Sequence, residues 1–150
     1  MSLLDQAKKS PMMRVRIRIG DETIKFNLAE ELNFSNENNM DAYVKNHATQ
    51  YSFLLMVRSK LIKIKNQAEK EAEELYSKAW AKAKNESTGG RAPANDLCDH
   101  KAKVNKKYVA AINILNSTKE NLNDVEACIK GFETRKYLLQ TLSANRRKEI

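Results

Sequence analysis

The sequence predicts a mainly α protein: a long antiparallel helical hairpin of coiled-coil type, with a small β-hairpin at its N-terminal side. Three observations predict it. Residues 38–84 contain neither Gly nor Pro and carry an apolar stripe at helical spacing, a second stripe runs from Tyr108 to Leu142, and a two-residue alternation occupies Arg14 to Leu28. A composition of 41% apolar, 7% aromatic and 31% charged residues, with 4 Gly and 2 Pro in 150, suits long helices better than a sandwich or barrel. It also argues against a large enclosed active site.

The alternation Arg-Val-Arg-Ile-Arg-Ile places Val15, Ile17 and Ile19 on one strand face and Arg14, Arg16 and Arg18 on the other. Gly20-Asp21-Glu22 reads as a turn, after which Ile24, Phe26 and Leu28 resume the apolar face, so residues 14–28 form a β-hairpin. A lone hairpin is marginal in water and must pack on something else. The stretch before Pro11 has no periodic pattern and is expected to be disordered.

The first long helix carries Tyr43, His47, Leu54, Val57, Leu61, Ile64, Ala68, Ala72, Leu75 and Ala79 in steps that keep one seam against a partner helix. Asn38 or Asn39 is expected to cap its start. The pattern ends at residues 85–94, where Asn, Ser, Thr, a Gly pair and Pro93 collect into a bend. Asn95 is then expected to cap a short helix through Ala102, and Asn105 a second long one with the stripe Tyr108, Ile112, Leu115, Leu122, Val125, Ile129, Phe132, Leu139 and Leu142. Two amphipathic helices joined by such a loop fold back antiparallel. The organisation is therefore an N-terminal segment, residues 1–35, and a helical hairpin domain, residues 36–150.

A second apolar margin (Tyr51, Phe53, Leu55, Ile62, Val109, Ile114, Tyr137, Leu138) is left without an intramolecular partner, and self-association is the simplest way to cover it. A homo-oligomer is expected.

Catalytic machinery is absent from the sequence pattern. There is no Gly-rich phosphate loop and no G-x-S-x-G, and neither His47 nor His100 has a nucleophile in a recognisable arrangement. Cys98-Asp99-His100 lacks the further ligands of a metal set, Cys98 and Cys128 read as reduced structural thiols, and no cofactor is expected. No apolar run reaches the ~18 residues of a membrane span, and MSLLDQAKKS lacks the apolar core of a signal peptide. A soluble, intracellular protein without a membrane partner is expected.

The net charge of +8 is unevenly placed and points to a polyanion. Basic groups occur at Arg58 to Lys65, around the bend, at Lys101 to Lys107 and at Arg146 to Lys148. The bend is the best candidate site. Lys78 and Lys82 stand one helical turn apart, Lys84 follows, and Gly89-Gly90 can bring Arg91 and backbone amides to a phosphate, with Lys101 and Lys103 close behind in sequence. Tyr76 and Trp80 offer stacking surfaces for unpaired bases. Against this stands the plainer account of lysines as solvated helix ends that complement the helix dipole. For Arg14, Arg16 and Arg18, edge-strand protection competes with phosphate contact.

Three features together carry a family likeness: Lys82-Ala83-Lys84 closing the first long helix, the bend Gly89-Gly90-Arg91, and the final helix Phe132-x-x-Arg135-x-x-x-Leu139-x-x-Leu142-x-x-x-Arg146-Arg147-x-Glu149. Over roughly residues 40–149 the chain resembles phage-type recombination mediators of the UvsY kind. The resemblance implies a non-enzymatic protein that forms ring-like homo-oligomers and binds single-stranded DNA. Such a protein helps a RecA-like recombinase replace single-strand-binding protein, in the cytoplasm of a bacterial host. The family's basic step before the bend falls on Lys82 and Lys84 and its following arginine on Arg91. Lysine at the second position removes the bidentate phosphate contact an arginine would make. The family's assembly element maps onto Leu138, Leu139 and Leu142.

Two alternatives use the same residues. A structural coiled-coil assembly protein, such as a virion or scaffold component, predicts salt-insensitive assembly and no nucleic-acid affinity. A double-strand DNA-binding regulator wants a recognition helix set by a short turn, which the long uninterrupted periods disfavour.

Overall fold

The computed structural model describes residues 1–33, 39–86 and 89–148. Asn38, Ser87, Thr88 and Glu149, each used in the sequence reading, lie outside the described residues. The elements run α1 (Leu3–Lys9), a 3-10 turn (Pro11–Met13), β1 (Arg14–Ile19), β2 (Glu22–Asn27), α2 (Leu28–Leu32), α3 (Met40–Asn85), α4 (Asn95–Lys103) and α5 (Lys106–Lys148). The fold is mainly α with one antiparallel pair of strands, as the periodicities require. The chain forms two compact units: Met1–Leu61 with Asn121–Ile150, and Ile62–Glu120. Neither unit coincides with the division expected at 35/36. The reason is that the hairpin packs into the first unit instead of standing apart from the helices.

In the first unit, β1 and β2 pair from Arg14↔Asn27 to Ile19↔Glu22. The turn is tighter than expected, two residues long, with Gly20 at φ 59° and Asp21 not in the left-handed region. That combination belongs to a Gly-first hairpin turn, whose twist matches the strands. The alternation then delivers one apolar face inward. Ile17 is fully buried among Leu54, Val57 and Leu61 of α3 and Val125, Cys128, Ile129 and Phe132 of α5, with Val15, Ile19, Ile24 and Phe26 around it. The α3 and α5 segments here run antiparallel, since Tyr51 Oη donates to Glu133 at 3.1 Å and Arg58 meets Glu126 at 3.3 Å.

Two short helices escaped the apolar pattern because caps make them. Against the expectation of disorder before Pro11, Ser2 and Asp5 form a reciprocal capping box that starts α1. Asn27 ends β2 and caps α2, its Oδ1 accepting from the Ala29 amide at 3.0 Å, so Leu28 opens a helix instead of extending the strand. Leu32 of α2 lies against Gly131 of α5, where a Cβ would stand 3.0 Å from Leu32 Cδ1. A helical Gly costs about 1 kcal/mol relative to Ala, and here it makes room for α2.

Polar side chains occupy gaps in the α5 stripe. Arg135, 4% exposed, lies between Phe132 and Leu139; its Nη1 donates to Gln50 Oε1 at 3.0 Å, and Gln50 Nε2 donates to Glu31. His47 is buried with its ring stacked on Tyr51 and tilted against Phe132, at centroid distances of 5.9 and 5.7 Å. Burial first, then the charges of Arg135 and Lys136, hold its pKa below the ordinary value.

In the second unit, α3 from Ile62 and α5 up to Glu120 are again antiparallel. Glu69 lies 3.8 Å from Lys119, and the Tyr76 and Tyr108 rings meet at 5.5 Å. Ala68, Ala72, Ala111, Leu115 and Thr118 are buried, three of the five being alanines. Cys98 and Ala102 turn the inner face of α4 fully inward. Among the described residues no helix is long and apolar enough to cross a membrane.

Candidate nucleic-acid interface

All six basic residues singled out around the bend belong to the second unit, but they do not share one environment. Lys78 and Lys82 project from the last turns of α3 into solvent without an ion-pair partner among the described residues. Arg91 and Lys103 are likewise exposed and unpaired. Lys84 differs. Its Nζ donates to Pro93 O at 2.8 Å and to Asn95 Oδ1 at 2.9 Å, and lies 5.8 Å from the centre of the Trp80 ring. The lysine straps the far side of the bend to the end of α3. Lys101 is paired with Glu86 at 2.7 Å, and this hydrogen bond lowers the Glu86 pKa. An exposed pair of this kind adds little stability, but the carboxylate offsets the positive charge at that position.

Asn95 is not the α4 cap. Ala94 holds that position without a side-chain bond, and Asn95 is the first helical residue, its side chain occupied by Lys84. Asn105 does cap α5, accepting from the Lys107 amide at 3.0 Å and the Tyr108 amide at 3.3 Å.

Gly89 and Gly90 take φ of 63° and 78°, a region other residues adopt only with strain, and a Cβ at either would meet nothing within 4 Å. Their backbone is open to an approaching ligand. Of the two candidate stacking rings, Tyr76 is engaged: its hydroxyl donates to Asp99 Oδ1 at 2.9 Å, which raises its pKa, and its ring lies against Tyr108. Trp80 is half-buried beside the Lys84 strap.

Dipole complementarity accounts for Lys82 and Lys84 at the end of α3 and Lys101 and Lys103 at the end of α4. It fails for Lys106 and Lys107. Both are exposed in the first turn of α5, where a cation opposes the helix dipole and no acidic residue offsets it. Sequence reasoning left them out of the site; their position immediately after the Asn105 cap was the available signal. The exposed cations are thus Lys78 and Lys82 near the end of α3, Arg91 in the bend, Lys103 at the end of α4, and Lys106 and Lys107 in the first turn of α5.

Of the three assembly leucines, Leu139 is 3% exposed and buried in the first unit, whereas Leu138 is 51% and Leu142 36% exposed. Only the latter two, with the neighbouring Tyr137, present apolar surface outward. The thiol of buried Cys128 is pushed up to about 11, mainly by desolvation, and is chemically quiet. No group of three or more potential metal ligands exists among the described residues.

Comparison with family models, curated proteins and solved structures finds no match for this chain.

Proposed function

We propose that the chain is a non-enzymatic, single-stranded-DNA-binding mediator of phage recombination, repair and replication. In this reading it oligomerises and helps load a RecA-like recombinase onto strands covered by single-strand-binding protein. The observation that carries the DNA-binding half is that the second unit carries both a set of exposed cations outside any salt bridge among the described residues and an open Gly-Gly backbone. Such a surface meets phosphates through side-chain charge and backbone amides, without reading base edges. Binding is then nearly independent of sequence and steeply dependent on salt.

One protomer supplies few such contacts. Assembly of several protomers, through Tyr137, Leu138 and Leu142, pools the bends so that one strand meets many weak sites at once and avidity does the rest. Held on several bends, the strand is drawn out of its relaxed path, which favours exchange of one bound protein for another.

The same exposed apolar residues favour a second reading, a structural helical assembly protein of a phage virion or scaffold that binds no nucleic acid. The two part on electrostatics. In the mediator, replacing Lys78 and Lys82 by Ala lowers affinity for oligo-dT and flattens its salt dependence at unchanged helicity and oligomer size. In the assembly protein there is no affinity to lose. Loading is tested by whether the intact protein speeds a RecA-like recombinase onto oligo-dT precoated with single-strand-binding protein.

A further inference from the structure

The ladder register fixes which side chains share the outer face of the β1–β2 hairpin: Arg14, Arg16 and Arg18, opposite Asn27, Lys25 and Thr23. Four of these six are cations and none is a carboxylate. Arg16 and Lys25 stand directly opposite each other, a like-charge pair that weakens a two-stranded ladder already marginal on its own. Among the described residues none of the four cations forms an ion pair; Arg18 Nε donates to Gly20 O at 3.2 Å. Asn27 Nδ2 donates to Lys8 O at 2.8 Å and ties α1 to this side of the hairpin. Lys8 then lines, with Arg14, Arg16 and Lys25, an open depression of about 500 Å³ bordered by Glu30.

A surface charged only for solubility mixes both signs. Protection of an open strand edge needs a single charge or a cover, and at Arg18 the β1 edge also meets Asn121, whose Nδ2 donates to Arg18 O at 3.4 Å. Neither purpose accounts for a row of arginines reinforced by two lysines.

We propose that this face is a phosphate-binding surface for an extended single nucleic-acid strand, separate from the bend of the second unit. Alternate residues along a strand stand roughly 6.5–7 Å apart, close to the step between successive phosphates of an extended single strand. Arg14, Arg16 and Arg18 therefore meet consecutive phosphates in register. Each guanidinium can offer two donors to one phosphate, and Lys25 adds a second cation at the middle position. The six outward-facing ladder positions carry no aromatic side chain, and Phe26 reaches only the floor of the depression beside them, so the arginine row holds backbone and has no sequence preference. The repeat favours a linear polyanion over the laterally mobile charges of an anionic membrane.

The surface stands independently of the recombination reading and of the bend, and the test keeps them apart. The full-length Arg14→Gln/Arg16→Gln/Arg18→Gln variant is titrated with labelled oligo-dT at several salt concentrations. The titration is repeated in a Lys78→Gln/Lys82→Gln background, with helicity and melting temperature confirming the fold. Loss of three phosphate contacts lowers the log–log salt slope by about 2 and the low-salt affinity by about tenfold or more, in both backgrounds. Thr23→Arg, which adds a cation opposite Arg18, raises the slope by about 0.7. Unchanged affinity and slope in the folded triple variant overturn the proposal. So does dependence on these arginines for binding phosphatidylserine vesicles but not oligo-dT.

Discussion

Lys84 Nζ donates to the carbonyl of Pro93 at 2.8 Å, and in doing so closes the bend that follows α3. A residue that reads in sequence as one more phosphate contact is committed to holding its neighbours in place. Lys84→Ala removes two hydrogen bonds and should cost about 1–2 kcal/mol of stability. Faster amide exchange through residues 89–95 is expected with it. Lys82→Ala, from an exposed side chain, should leave stability within about 0.5 kcal/mol and act on DNA affinity alone. Urea unfolding and oligo-dT titration of the two variants separate these roles.

The assembly face can be tested without disturbing the interior. Leu138→Asp together with Leu142→Asp should lower the oligomer mass in sedimentation while leaving helicity intact, because both side chains are exposed. Leu139→Ala should instead destabilise the first unit by about 2–5 kcal/mol. Loss of fold in the double variant, or an unchanged mass, would reject this face as the contact.

His47 predicts a pH dependence of stability. Its folded pKa lies below the ordinary 6.5 because the ring is buried near Arg135 and Lys136. As pH falls through about 6.5 the unfolded chain takes up the proton before the folded chain does, so stability declines from there toward the depressed folded value. The urea midpoint should fall between pH 7.5 and 5.5. His47→Phe, which keeps an aromatic ring against Tyr51 and Phe132, should flatten that decline.

Gly131→Leu should lower the melting temperature although Leu favours helix more than Gly does. A Cβ there already stands 3.0 Å from Leu32 Cδ1, and a larger side chain displaces α2 at a cost of about 1–3 kcal/mol. An unchanged or higher melting temperature would show that α2 is not held against α5.

Most of the fold was legible because it is written in periodicity: the alternation from Arg14 and the two long stripes each correspond to elements, and the glycine pair falls between α3 and α4. What escaped is written in hydrogen bonds. Ser2-x-x-Asp5 starts α1 and Asn27 starts α2 over stretches too short for a stripe, and Asn95 looks like a cap until Lys84 takes its side chain. Arg135 and Thr118 were hidden differently. Each fills a seven-position step in the α5 stripe, from Phe132 to Leu139 and from Leu115 to Leu122, where the helix still faces inward. The candidate site was legible as a concentration of charge but not as a division of labour. Which lysines are strapped, paired or free depends on contacts between residues such as Lys101 and Glu86, fifteen positions apart.

Everything proposed for the basic surface rests on its binding single-stranded DNA. The most direct test is fluorescence anisotropy of labelled oligo-dT and an equal-length duplex, titrated with the purified protein at several salt concentrations. Preference for the single strand is expected, with affinity falling steeply as salt rises. Failure to bind either at low salt, with the oligomer intact, would contradict it and leave a helical assembly protein.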